Sequence, residues 1–213
     1  MSGYSSVFSD EKLIDIQMMA YAGLRNKRIV ELCQQNGINA VGLSGLDGKT
    51  IKGRRNTGIK TKIKTEHGDK LMLLRDLSGK PKEINKQLLQ LLLDNGYTPV
   101  LCIPIIDENN FAINSENDDI INVLQNAFQA DKIIQLIEAP GFLENKDDSS
   151  TLVSKMSKQE LKQKEEQVEG RMKRKMLALR KLFEDGANTV IISDGRVEHP
   201  IADALNGKGT IIE

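Results

Sequence analysis

Arg171-Met172-Lys173-Arg174-Lys175 places four cations where the sequence pattern predicts the start of a helix. A helix N-terminus carries partial positive charge, so cations in its first turns oppose the macrodipole. The arrangement makes chemical sense if the helix end and a lysine together hold a polyphosphate. The same residues could instead form a solvated basic face balanced by Glu165, Glu166 and Glu169. A second group, Asn114-Ser115-Glu116-Asn117-Asp118-Asp119, follows the apolar run at 98–106. Open α/β sheets bind ligands beyond the carboxyl ends of their strands, where a carboxylate could orient lysines or approach a magnesium-bound nucleotide. Asn and Asp also favour helix N-caps, which gives the cluster an ordinary structural reading.

Other motifs are excluded by spacing. Asp47-Gly48-Lys49-Thr50 looks like the end of a phosphate loop, but Leu43 stands where that loop needs its first glycine. Asp107-Glu108-Asn109-Asn110-Phe111 lacks the glycine and distal glutamate of a calcium loop. Cys33 and Cys102 sit among apolar residues, and His67 and His199 are far apart, so no metal centre is expected. Thirty Lys and Arg balance thirty Asp and Glu, which excludes the strongly basic character of a nucleic-acid binder. The run at 100–106 contains Pro104 and is too short to span a bilayer. The first twelve residues lack the basic and apolar regions of a secretory signal, so a cytoplasmic protein without membrane contact is expected. With 213 residues, 39% of them hydrophobic, the chain is long enough for one packed domain over 1–213.

The elements that must position these residues follow from periodicity and punctuation. Ser9-Asp10-Glu11 predicts a helix start, with apolar positions continuing to Gln35 and a stop at Gly37. A short buried strand is expected over 38–43. The zone 47–82 is rich in Lys and Arg, including Arg54, Arg55, Lys80 and Lys82, and alternation at 59–64 predicts a β-hairpin turning at 66–69. Its basic face reads equally as a lysine-protected edge or as a surface for an acidic partner. A leucine-rich, sandwiched helix is expected over 81–95, then a central strand over 98–106 covered on both faces. Further helices are expected over 118–130, from the capping box at Ser157, over 169–184 and near 200–205, with strands over 132–137, 188–193 and 209–212. Alternating helix and strand favours an α/β fold: a three-layer α/β/α sandwich with a mostly parallel sheet and a hairpin excursion.

Several of these stretches, in this order, resemble the amino acid kinase family, specifically its acetylglutamate kinase branch. They are the run from Asn36 to Gly48, Asn95-Gly96-Tyr97-Thr98-Pro99-Val100, Asn114 through Asp118, Glu138-Ala139-Pro140-Gly141-Phe142-Leu143, Met172 through Lys175, and Gly209-Thr210-Ile211-Ile212. Leu77-Ser78-Gly79-Lys80-Pro81-Lys82-Glu83 is similar to the segment found in kinases whose substrate is aminoadipate or glutamate attached to the small acidic carrier protein LysW. The resemblance implies ATP-dependent phosphorylation of that side-chain carboxylate with Mg²⁺, and a homodimer. It implies that Lys175 stabilises the transferring phosphoryl group, that Asp118 organises the catalytic lysines and that Asn114 contacts substrate. Gly141, Met172 and Lys175 would lie on the nucleotide side, and Arg54, Arg55, Lys80 and Lys82 would meet the carrier. Residues 9–130 would form the substrate and carrier side and residues 131–213 the nucleotide side.

The sequence also departs from the family pattern. Glu138 stands where an aspartate is usual, and Arg171 where a glycine is expected. Family members begin with a strand carrying Lys-Ile-Gly-Gly and later a His-Gly-Gly-Gly turn, which supply a second lysine and the backbone donors around the transferred phosphate. Neither occurs before Ser9, and no arginine occurs in Gly3-Tyr4-Ser5-Ser6-Val7-Phe8, where one is expected to grip a substrate carboxylate. Phosphoryl transfer rests on positioning and charge stabilisation, so the resemblance implies a fold lacking its first strands and little turnover by these 213 residues. Two alternatives stand beside it: a kinase of free acetylglutamate, and a non-catalytic module binding nucleotide or carrier.

Overall fold

The computed structural model describes residues 8–65, 68–74, 76–145, 147–168 and 170–213. The chain divides into two compact units, the first ending at Val123 and the second beginning at Leu124.

The first unit opens with one long helical run. Asp10 caps α1 (Glu11–Gln17), its carboxylate accepting the Leu13 N–H at 2.8 Å. A π-helical stretch (Met18–Arg25) and α2 (Asn26–Gln35) continue it to Gly37, whose φ of +73° suits a glycine helix stop. β1 (Ala40–Ser44) pairs in parallel with β6 (Thr98–Cys102). Between them lie β2 (Ile51–Arg55), a hairpin of β3 (Ile59–Thr65) and β4 (Gly68–Leu74), β5 (Gly79–Ile84) and α3 (Lys86–Asp94). The expected turn residues Glu66 and His67 lie outside the described residues. After β6 come β7 (Ile105–Ile106) and β8 (Ala112–Ile113), and a four-stranded sheet forms in the order β5-β2-β7-β8. Ile51, Ile105 and Ile113 are its fully buried core. α4 (Asn117–Phe128) begins in this unit and runs past its boundary.

Three expectations are corrected here. Residues 81–84 belong to strand β5, and the helix starts only at Lys86, with the Asn85 side chain accepting the Leu88 N–H at 3.1 Å. Pro81 is tolerated because β5 is an edge strand and Pro81 faces Gly53 at a register shift in β2. The expected strand over 98–106 is interrupted at Ile103-Pro104, a cis peptide, and Pro104 has no N–H to continue the ladder. The apolar stripes of the long helix and of α3 are only partly covered. Ile16, Leu24, Leu32 and Leu91 are each more than half exposed, while Ile14 and Leu89 are buried. The sequence pattern is written for two covered faces, and the described residues cover one.

The second unit holds a sheet in the order β10-β12-β11-β9, made by β9 (Lys132–Ile137), β10 (Lys155–Met156), β11 (Thr189–Asp194) and β12 (Thr210–Ile212). β9 and β11 pair in parallel over six residues, and β12 lies antiparallel to β11. α5 (Lys158–Gln167) starts at the expected capping box: Ser157 accepts the Glu160 N–H, and Glu160 accepts the Ser157 N–H at 2.7 Å. These Ser157 donors hold the Glu160 carboxyl below the usual carboxylate range. α6 (Gly170–Glu184) buries Met176, Leu179 and Leu182, and α7 (Pro200–Leu205) buries Ala204. The chain is therefore α/β, with parallel ladders where buried strands were expected and an antiparallel hairpin excursion.

Two glycines separate close approach from backbone conformation. A Cβ at Gly79 would lie 2.5 Å from both the Arg54 carbonyl oxygen and Ile113 Cδ1, whereas one at Gly37 would meet nothing within 4 Å. Gly79→Ala is expected to destabilise the protein by about 3 kcal/mol, because backbone on the other side cannot move aside. Gly37→Ala, which meets only the unfavourable positive φ, is expected to cost about 1 kcal/mol. Urea unfolding followed by circular dichroism checks the order; equal midpoints would contradict it.

Candidate functional site

In the first unit, the register between β2 and β5 fixes which cations face water. Arg54 pairs with Lys80 across the ladder, and Lys52 with Glu83. Side chains alternate along a strand, so Lys52, Arg54, Lys80 and Lys82 are exposed while Gly53, Gly79 and Pro81 are buried. The Lys52 ammonium is shared with Glu83 at 3.4 Å. Arg55 takes the opposite direction. Its guanidinium lies 3.2 Å (Nε) from the buried Asp107 carboxylate and stacks 5.7 Å from the Phe111 ring centroid. Asp107 also accepts the Asn109 and Phe111 N–H groups, closing the tight turn between β7 and β8. The Arg55 backbone N–H donates to Glu108 and holds that carboxyl below its ordinary range.

The carrier-like segment is tied directly to Asn114. The Gly79 N–H donates to the Asn114 carbonyl at 2.9 Å, and the Asn114 N–H to the Leu77 carbonyl at 2.7 Å. The half-buried Asn114 side chain donates to Ser9 Oγ at 3.3 Å. Asp118 is half-buried in the first turn of α4, where a carboxylate complements the positive helix end. Asp76 was legible in the sequence only as a charge within the basic zone; it is buried behind this segment and accepts the Ser9 N–H at 3.0 Å.

In the second unit, the basic run falls in the first two turns of α6, with Met172 in the first and Lys175 in the second. Two of the acids expected to balance it are placed as follows: Glu165 binds Arg180 Nε at 2.7 Å, and Glu169 lies outside the described residues. Among the described residues Lys175 has no carboxylate partner within ion-pair distance, and it is half-buried. Gly141 lies in the turn after β9. A Cβ there would sit 2.7 Å from Thr210 Oγ1 and 3.0 Å from the Thr210 nitrogen, so the turn closes against β12 only without a side chain. The Phe142 N–H donates to Thr210 Oγ1 at 2.8 Å, and that hydroxyl donates to the Val153 carbonyl at 2.6 Å.

Beside this turn opens a cleft of about 380 Å³, large enough for a nucleoside. Pro140, Leu152 and Val197 give it an apolar wall; Ser193 and Asp194, at the carboxyl end of β11, and Lys208 give it polar groups. Arg196 binds both oxygens of Asp194, at 2.9 and 2.8 Å, and with its backbone N–H holds that carboxyl down at about 2. Lys208 pairs with Asp203 at 2.9 Å. Lys175 is not among the described residues lining this cleft, whereas the turn bearing Gly141 is at its edge. Sequence reasoning missed Ser193, Asp194 and Lys208, although the strand end at Asp194 and the Gly207-Lys208-Gly209 run were signals for it. Among the described residues no cluster of three His, Cys, Asp or Glu could hold a metal ion, and no helix is long and apolar enough to cross a membrane.

Comparison with known proteins bears on the whole chain. It is 40% identical over 212 residues to a [LysW]-aminoadipate kinase of Thermus thermophilus, covering 99% of this chain and 78% of that one. It is 31% identical over 206 residues to an acetylglutamate kinase of Methanopyrus kandleri, covering 96% and 78%. Among solved structures, a Giardia carbamate kinase superimposes with a TM-score of 0.66 at 16% identity, covering all of this chain and 76% of that one, which shows a shared fold. A sequence model described as the amino acid kinase family matches residues 2–194, and the chain belongs to that family.

Proposed function

We propose that this chain acts on a carboxylate as a kinase, and that its substrate is the side chain of aminoadipate or glutamate carried by LysW. The observation that supports the carrier most directly is the register of β2 and β5. It puts Arg54, Lys80 and Lys82 on one exposed face, on a segment bonded through Gly79 to Asn114. A positive surface steers and orients an acidic partner, and the backbone link would deliver the carried side chain to the Asn114 carboxamide. Arg55 contributes to this face by holding the end of β2 against Asp107. The relative named as a [LysW]-aminoadipate kinase, at 40% identity, supports the same choice.

In this reading residues 9–130 serve the substrate and carrier, and residues 131–213 the nucleotide. ATP, with Mg²⁺ held mainly by its phosphate oxygens, supplies the transferable phosphoryl group. The cleft beside Pro140 and Asp194 takes the nucleoside, and Gly141 keeps the adjoining turn closed on β12. Lys175, without a carboxylate partner among the described residues, is available to offset charge on the transferring group, while the first turn of α6, with Met172, presents backbone N–H groups to phosphate. Asp118 is assigned the ordering of the lysines and Asn114 the substrate contact. Free acetylglutamate is the second reading, favoured by the acetylglutamate kinases among the relatives.

ATP-dependent acyl-hydroxamate formation separates the two. With LysW-linked aminoadipate and free N-acetylglutamate offered side by side, the carrier-linked substrate is expected to be used and the free one not; the reverse would overturn the carrier reading. Nucleotide binding without turnover on either would favour a non-catalytic module. Lys175→Ala is expected to lower turnover about a hundredfold, or ATP affinity where turnover is too slow to follow. No change in either quantity would remove Lys175 from the mechanism. Charge reversal in Arg54→Glu/Lys80→Glu is expected to weaken LysW binding about tenfold or more at low salt, with the difference shrinking as salt rises. Unchanged, salt-insensitive affinity measured by calorimetry would contradict the docking face.

A further inference from the structure

We infer that the buried carboxylate of Asp76 is a positioning residue that locks the carrier-docking segment and Asn114 into one register, so that carrier docking and substrate contact are coupled. The inference rests on the proposed function for the meaning of the two sites, and on the geometry of one junction for the link between them.

Asp76 is 1% exposed. Burying a carboxylate is costly unless donors surround it. Two groups supply them from different parts of the chain. The Ser9 N–H, just ahead of α1, reaches Oδ1 at 3.0 Å, and the Ser78 hydroxyl reaches Oδ2. Both serines are themselves buried, so the carboxylate clamps two segments rather than covering a surface. Each serine then passes the constraint on. Ser9 Oγ accepts the Asn114 side-chain N–H, and the Ser9 carbonyl accepts the Leu77 N–H at 2.7 Å. Ser78 Oγ accepts from the Asn56 side chain at 2.7 Å, and the Ser78 carbonyl accepts the Asn56 N–H at 2.9 Å, fixing the chain beyond β2.

The carboxylate thus holds the approach to α1 and the start of β5 directly, and through their serines the end of β2 and the end of β8. Three of them carry proposed contacts, with Arg54 two residues before Asn56, Lys80 two residues after Ser78, and Asn114 bonded to Ser9. Removing the charge should leave the strands paired, because the Leu77, Gly79 and Asn114 backbone bonds do not involve Asp76. What it should remove is the shared hold on the Ser9 backbone N–H and the Ser78 hydroxyl, a side-chain link between the carrier face and the partner of the Asn114 carboxamide that the backbone bonds do not supply. A purely structural role would lower stability without changing how the two contacts depend on one another.

The test is a double-mutant cycle on the full 213-residue chain. Dissociation constants are measured for LysW bearing aminoadipate with Lys80→Ala, Asn114→Ala and the double variant, in the native background and with Asp76→Asn. The two substitutions are expected to be non-additive by about fivefold or more in the native background and additive within about twofold with Asp76→Asn. Ser78→Ala, which deletes one hydroxyl and leaves the carboxylate, is expected to reduce the coupling in the same direction and guards against misfolding of the Asp76 variant. Coupling that is unchanged in both backgrounds, or absent from the native one, overturns the inference while leaving the proposed function intact. Failure of the unsubstituted chain to bind LysW with or without aminoadipate overturns both, and is recognised because it precedes any substitution.

Discussion

Gly79 approaches the Arg54 carbonyl so closely that a single added carbon would sit 2.5 Å from it, and the candidate substrate side is organised around that contact. The approach sets the register of β5 on β2, and the register decides that Arg54, Lys80 and Lys82 face water together. The same glycine donates its N–H to Asn114, so one residue lies between the cationic face and the carboxamide assigned to substrate. Packing beneath it by Ile51, Ile105 and Ile113 leaves this arrangement little freedom to shift. Electrostatics acts only on what this steric constraint has already placed.

The second unit meets a different requirement. Its cleft lies at the carboxyl end of β11, beside a turn that glycine and Thr210 pin to β12. Charges around it are largely committed, Asp194 to Arg196 and Asp203 to Lys208, so a nucleoside entering it would find mainly apolar wall and directed dipoles. On α6, Lys175 has no carboxylate partner among the described residues. Glu165 is engaged by Arg180, which also binds Glu184, and cations in the first turns of α6 oppose the helix dipole. An anion at the start of α6 would resolve that opposition.

Local signals were read well where a side chain and its own backbone decide the structure. The Ser157 capping box, the Asp10 helix start and the glycine stop at Gly37 depend on neighbours three or four residues away. Pro81 misled because its helix preference competes with an edge-strand position, and the partner that settles the matter, Gly53, is 28 positions earlier. The direction of Arg55 was hidden for the same reason: alternation makes one of two adjacent arginines face inward, but which one depends on Asp107 and Phe111. The role of Asp76 was hidden because, although Ser78 lies two residues on, its other donor is Ser9, 67 positions earlier. The cleft residues were similarly scattered between a turn, a strand end and a glycine-flanked lysine.

The proposed function requires the second unit to hold nucleotide between the Gly141 turn and the end of β11, with Lys175 toward the phosphates. Amide chemical shifts followed during titration of the 213-residue chain with a non-hydrolysable ATP analogue test it most directly. Saturable changes are expected at Gly141, Ser193, Asp194 and Gly209, together with changes in the first two turns of α6 that include Lys175. Saturable changes confined to residues before Val123, or no saturable change at millimolar nucleotide, would contradict it.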